Sequence, residues 1–190
     1  MPAPSMRQPR EDECDPSGDA RIWSQTEEED HVKTLYIDMD NTLVDFRSKL
    51  EGVAPSVLKK YKGRIDEIPG FFAVMQPMPG AIEAYYELSG LYDTYILSTA
   101  PWHNPSAWQH KIEWVHLHFG EQEKLRKGNK NPAYKRLILS HHKNLNRGAF
   151  LVDDRPKKNG ADKFKGKVIK FGSKKFPDWP AVTEYLRART

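Results

Sequence analysis

The sequence predicts an α/β domain built on a parallel sheet with helices on both faces. Two observations carry that expectation. Short apolar runs alternate along the chain with amphipathic helical stretches, the pattern of strand–helix–strand units. Polar residues collect where those runs end, at Asp38 and Asp40, at Ser98 and Thr99, and at Asp153 and Asp154. In open α/β sheets ligands bind at the carboxyl ends of the strands. With 190 residues the chain is long enough for one ordinary domain with its own core.

The first strand is Leu35–Ile37, an apolar run that stops at the carboxylates. "PGAIEAYYELSG" then reads as a helix, with Pro79 near its start and Gly90 as its stop signal. A second strand is Thr94–Thr99. The next helix is "NPSAWQHKIEWVHLHFG", with Asn104 as N-cap, Pro105 in the first turn and Gly120 at C′. Trp108, Ile112, Val115 and Phe119 fall on one face of it at helical spacing and are expected in the core. Arg136–Ser140 is a weaker strand signal. Ala149–Asp154 and Lys167–Gly172 are clearer ones, and a last helix is expected near "WPAVTEYLRAR". No internal repeat is visible.

Hydrophobic residues make up 38% of the chain and charged residues 29%, polar enough to suggest that part of it does not pack. Residues 1–33 carry four basic and nine acidic side chains, a net of −5 in a chain whose total is +4, so the remainder carries +9. The acidic segment is aperiodic and rich in Pro, Ser, Glu and Asp. It reads as a disordered tail ahead of a folded domain at 34–190, with Met6 as an alternative start. No apolar run suits a bilayer span and no signal-peptide core is visible. Cys14 stands alone, which excludes an internal disulfide and makes a reducing, cytoplasmic setting the default. The basic body suits an anionic ligand, either small phosphates or nucleic acid.

Four carboxylates converging on one crevice repel one another and lose hydration. A hard cation with oxygen ligands resolves this, and Mg²⁺ is the natural one. A carboxylate can also attack phosphorus, while a second, two residues on, protonates the leaving oxygen and later activates water. Thr99 and Lys143 would bind the transferring phosphoryl oxygens. A lone D-x-D-x-T arises by chance. The same motif followed in order by polar strand ends and "LVDD" is a far more specific signal. The competing reading, solvated turn residues that cap loops, leaves that order unexplained.

"DMDNTL", "ILST", Lys143 and "LVDD" resemble the four motifs of the haloacid dehalogenase superfamily of phosphotransferases. Within it, "DMDNTLVDF", "PGFFAVMQPMPGA", "ILSTAPWHN" and "HKNLNRGAFLVDDRPKKNGA" resemble the 5′(3′)-deoxyribonucleotidases, over about residues 34–172. The resemblance implies a Rossmann-like core with a small helical cap, roughly residues 47–78, inserted after the first motif. It implies Asp38 as nucleophile and Asp40 as acid/base. Mg²⁺ would be held by Asp38, the main-chain carbonyl of Asp40, and one of Asp153 and Asp154. It assigns Thr99 and Lys143 to phosphate, and Phe46, Phe71 and Phe72 to the nucleobase. The chain departs from the family pattern at Ala100, where a serine is usual, and at Trp102-His103, where a basic residue is expected.

The implied ligand is a nucleoside monophosphate or another small phosphate ester such as a sugar phosphate. A non-catalytic, nucleic-acid-binding protein on the same fold is the rival, and the intact motif set speaks against it. So does the lack of interleaved aromatic and arginine residues on the basic surface. A membrane partner is not expected, and a homodimer is left open. His116 and His118, two apart on a helix, make a poor metal pair. His141 and His142 read as exposed loop residues. "KKNGADKFKGK" reads as a solvated basic face, and Cys14 as non-catalytic.

Overall fold

All five apolar runs form strands. The computed structural model describes residues 32–73, 75–125 and 128–190, so the expectations for the acidic tail, Met6 and Cys14 lie outside the described residues. The strands are β1 (Thr34–Ile37), β2 (Asp93–Ser98), β3 (Leu137–Leu139), β4 (Phe150–Asp153) and β5 (Lys167–Lys170). They pair in the order β3-β2-β1-β4-β5, parallel throughout. Strand β1 lies in the middle, with Leu35 and Ile37 fully buried. Parallel strands covered on both sides are written as continuous apolar runs, which is why the sequence showed them. Among the described residues no helix is long and apolar enough to cross a membrane.

Helical turns lie on both faces, but unequally. Leu35, Ile37, Ile96, Val152 and Ile169 face a large core shared with three helices, α2 (Ala81–Ser89), α3 (Pro105–Phe119) and α4 (Trp179–Arg187). The alternate residues Tyr36, Leu97 and Leu151 face a smaller cluster, closed by Ala161 of the 3-10 turn Ala161–Lys163 and by Phe164. Phe164 meets the Tyr36 ring edge-on at 6.0 Å.

Helix α3 corrects the expected packing face. Trp108 and Ile112 are 38% and 37% exposed, whereas Ala107, Lys111, Trp114, Val115 and Phe119 are buried. The helix is rotated so that a lysine, not Ile112, takes the central inward position; the ion pair described below explains why. Asn104 sits at the N-cap position but its side chain does not cap α3. Its amide donates instead to the carbonyls of Asp66 and Ile68, at 2.8 and 3.0 Å.

Those two carbonyls belong to the segment between β1 and α2. It holds a 3-10 stretch (Phe46–Gly52), the short helix α1 (Pro55–Lys60) and a 3-10 turn (Ile65–Glu67). Its base is tied by reciprocal main-chain bonds, Asp45 N to Gln76 O and Met78 N to Leu43 O, both 2.8 Å. The Trp114 indole donates to Met75 O at 2.9 Å, and the Ser106 hydroxyl accepts from Gly70 N at 3.0 Å. The inserted segment is therefore pinned to the start and middle of α3. Asn104→Ala, which strands two carbonyls, is expected to lower the unfolding free energy by ~1–3 kcal/mol in urea titrations. An unchanged midpoint would show that these bonds do not hold the insertion.

Candidate active site

The chain leaves β1 at Asp38 and turns back within a few residues. Asn41 adopts a left-handed φ of 54°, a conformation Asn tolerates better than most residues. The Met39 carbonyl then accepts from the N–H groups of Thr42, Leu43 and Val44, at 3.2, 2.9 and 2.8 Å. From α4, the Trp179 indole braces the turn with a 3.0 Å bond to Thr42 O. Pairing of Ile37 with Val152 sets Asp38 level with Asp153 on the neighbouring strand. All three carboxylates Asp38, Asp40 and Asp153 are less than 9% exposed.

Two buried lysines answer them. Lys143 follows β3, at the start of the 3-10 turn Lys143–Leu145, and its ammonium lies 2.8 Å from Asp38 and 2.6 Å from Asp153. The main-chain N–H of Arg155 also donates to Asp153, at 2.7 Å. Lys111, from the inward face of α3, lies 2.7 Å from the Asp40 carboxylate and donates to the Ser98 hydroxyl at 3.1 Å. Its ammonium stands 4.7 Å over the Phe72 ring. Lys111 escaped the sequence reading. The available signal was a lysine in register with Ala107, Trp114 and Val115, on a seam that burial would otherwise reserve for apolar residues.

Asp38, Asp153 and Asp154 each offer a carboxylate oxygen within 4.8 Å of the others, and together they could hold a metal ion. The Asp40 carboxylate is not part of that group; one of its oxygens pairs with Lys111. One oxygen of Asp154 accepts from the Asn41 amide at 3.2 Å. The other is buried with no hydrogen-bond partner, the Arg155 guanidinium standing 3.6 Å away. A buried, unpartnered carboxylate oxygen beside two more carboxylates is a donor set that suits a hard divalent cation. The same crowding shifts the acids. Burial pushes the Asp154 carboxyl up to about 6, and the charge of Asp38 adds to it. Burial and Asp38 likewise raise Asp153. Asp40 is raised by burial, against the pull of Lys111. For Lys143 burial works downward, but Asp38 and Asp153 outweigh it and the net shift is upward.

A cavity of about 590 Å³ adjoins the cluster at Asp40 and Arg155 and is lined also by Phe46, Ile65, Thr99 and Trp102, whereas Asp38, Lys143, Asp153 and Asp154 lie behind its wall. Thr99 directs its hydroxyl to the Ser140 carbonyl at 2.8 Å. Of the three phenylalanines expected at the base, Phe46 lines the cavity. Phe71 and Phe72 do not; they are 2% and 3% exposed and pack behind Phe46, with ring centroids 4.8 and 5.8 Å from it. They sit in the irregular chain after Ile68, where no period announces which way a side chain points. His141, expected as an exposed loop residue, is half-buried in the cavity wall, whereas His142 is exposed. His118 packs against Trp114 at 4.4 Å and His116 faces Glu121, so they form no pair.

A parallel sheet whose neighbouring strands β1 and β4 end in aspartate pairs, bridged by a buried lysine from the turn before β4, has the build of haloacid dehalogenase superfamily phosphohydrolases. Comparison with known proteins narrows this. The family model described as "5' nucleotidase, deoxy (Pyrimidine), cytosolic type C protein" matches residues 51–188, which include Thr99, Lys143 and Asp153 and begin after Asp38 and Asp40. A protein of Vibrio phage KVP40, provisionally named 5'(3')-deoxyribonucleotidase, is 53% identical over 152 residues, 80% of this chain and 83% of that protein. A Bordetella bronchiseptica protein with the same provisional name is 34% identical over 118 residues, 62% of this chain and 54% of its own length. The human 5'(3')-deoxyribonucleotidase, cytosolic type, is 29% identical over 120 residues, 61% of this chain and 53% of its own length. The chain thus spans about half the length of these last two relatives. It belongs to the 5'(3')-deoxyribonucleotidase family.

The raised carboxyl groups fix the sign of a pH effect. An acid whose pKa is higher folded than unfolded makes the native state bind extra protons, so its stabilising effect is present at low pH and is lost as pH rises through the folded pKa. For Asp154 that window runs from the ordinary value of 3.8 to about 6. His118, lowered by burial, acts in the opposite sense, so the comparison must be differential. In metal-free protein, Asp154→Asn is expected to gain stability relative to wild type as the pH is raised from about 4 to 7. Urea titrations at several pH values check this, and a variant that loses stability relative to wild type over that range would contradict the assignment.

Proposed function

We propose that this chain is a Mg²⁺-dependent phosphatase that hydrolyses deoxynucleoside monophosphates through a phosphorylated Asp38. The observation that carries the reading is the salt-bridged arrangement of Asp38, Lys143 and Asp153, set near Asp40, which lines the cavity. The family match and the names of the relatives supply the substrate class. A cytosolic setting is supported by the "cytosolic type" in the human relative's name.

In the first half-reaction a carboxylate oxygen of Asp38 attacks phosphorus. The new O–P bond forms as the bond to the ester oxygen breaks, and Asp40 delivers its proton to the departing nucleoside hydroxyl. The upward shift of Asp40 by burial suits a group that must start protonated. Lys111 fixes which way that carboxyl points. In the second half-reaction water attacks the phosphorylated Asp38, Asp40 takes the water proton, and inorganic phosphate leaves with Asp38 restored.

Lys143, paired with Asp38, would answer the negative charge that the phosphoryl oxygens gain. Thr99 must exchange its bond to the Ser140 carbonyl for one to a phosphate oxygen. Asp38, the Asp40 carbonyl and one of Asp153 and Asp154 would hold Mg²⁺, which would supply positive charge against the phosphoryl group and the carboxylates.

Asp38→Asn keeps the shape of the side chain and removes the nucleophile. Phosphate release from deoxynucleoside monophosphates is expected to fall by more than ~10³-fold, with a cooperative melt retained. Near-normal turnover by the purified variant would sink the covalent assignment.

A further inference from the structure

The loop after β2 carries a side chain that the fold leaves uncovered. Trp102 is 76% exposed, the most exposed of the large apolar side chains among the described residues. It lines the same cavity as Asp40 and Thr99, three residues beyond Thr99. His141 meets its ring nearly edge-on at 5.8 Å, and the Trp108 ring lies 6.1 Å from the same imidazole. An indole exposed to water at the mouth of a reaction cavity is an apolar surface awaiting a partner.

The cap side of the cavity presents Phe46 and Ile65. Phe71 and Phe72 are withdrawn into the core behind Phe46. The aromatic carbon surface available to a planar ring is therefore Phe46 from the insertion and Trp102 from the strand-end loop, with the His141 imidazole beside Trp102. Three residues of chain reach at most about 10 Å, so the Trp102 backbone lies no further than that from Thr99.

We propose that Trp102 binds the nucleobase of the substrate by stacking, and that it sets the preference of this enzyme for nucleotides over base-free sugar phosphates. The assignment rests on the nucleotidase reading. Base–aromatic stacking is sequence-tolerant because every base offers a π-face, so Trp102 selects for the presence of a base more than for its identity.

The test compares wild type, Trp102→Ala and Trp102→Phe on two esters, a deoxynucleoside 5′-monophosphate and deoxyribose 5-phosphate, each as kcat/KM. The ratio of the two constants is expected to fall by roughly tenfold in Trp102→Ala, mainly through KM for the nucleotide, and to recover most of that loss in Trp102→Phe. If wild type favours the nucleotide but Trp102→Ala keeps the wild-type ratio, Trp102 does not read the base. Equal losses on both esters, or a phenylalanine variant no better than alanine, overturn the stacking role as well. A wild type that turns over both esters equally well overturns the nucleotide reading, and the role of Trp102 with it.

Discussion

The rest of this structure depends on a charge imbalance that the fold buries. Asp38, Asp40, Asp153 and Asp154 crowd the ends of two neighbouring strands, and only Lys111 and Lys143 answer them from within the protein. Arg155 helps from a half-exposed position. The carboxylates outnumber these cationic groups, and a divalent cation would offset the excess. Burial first, and then the charge of Asp38, raise the carboxyl groups of Asp153 and Asp154. Removing either lysine would leave a buried carboxylate unpaired, at a cost of about 3–5 kcal/mol, so both ammonium groups are structural as well as chemical.

Holding such a cluster needs rigid supports, and each has a cause in sequence. The apolar strands β1 and β4 fix Asp38 and Asp153 side by side through their register. The Asn41 turn folds the chain back beneath Asp40, and Trp179 braces it from the last helix. Helix α3 gives its inward face to Lys111 and accepts exposure of Trp108 and Ile112 in return. The insertion is fastened by Asn104, Ser106 and Trp114 to that same helix. Lys111 and the floor of the cavity are thereby joined to the element that closes over them, through the contact of Lys111 with Phe72.

The strands were legible because buried parallel strands are written as short apolar runs, and the site because polar residues at their ends have no other reason to be there. Asp38, Asp40, Lys143, Asp153 and Asp154 come together as the order of the motifs implied. Lys111 was not legible, since a lysine on an amphipathic helix is ordinarily on its wet side and only a partner on another element shows otherwise. The direction of neighbouring side chains in irregular chain was equally hidden. Phe71 and Phe72 turn into the core, and Trp102 turns outward, for packing reasons that no periodicity records. Asn104 looked like a helix cap because its position is one, yet its amide serves the insertion instead.

The central claim, that a divalent cation completes this carboxylate cluster, is most directly tested by thermal unfolding in EDTA and across a Mg²⁺ titration, for wild type and Asp153→Asn. A ligand that binds only the native state stabilises it by about 2.7 kcal/mol at a hundredfold excess over its dissociation constant. The wild-type midpoint is expected to climb with Mg²⁺ by several degrees, and Asp153→Asn to respond less. Identical wild-type melts in EDTA and in saturating Mg²⁺ would contradict it.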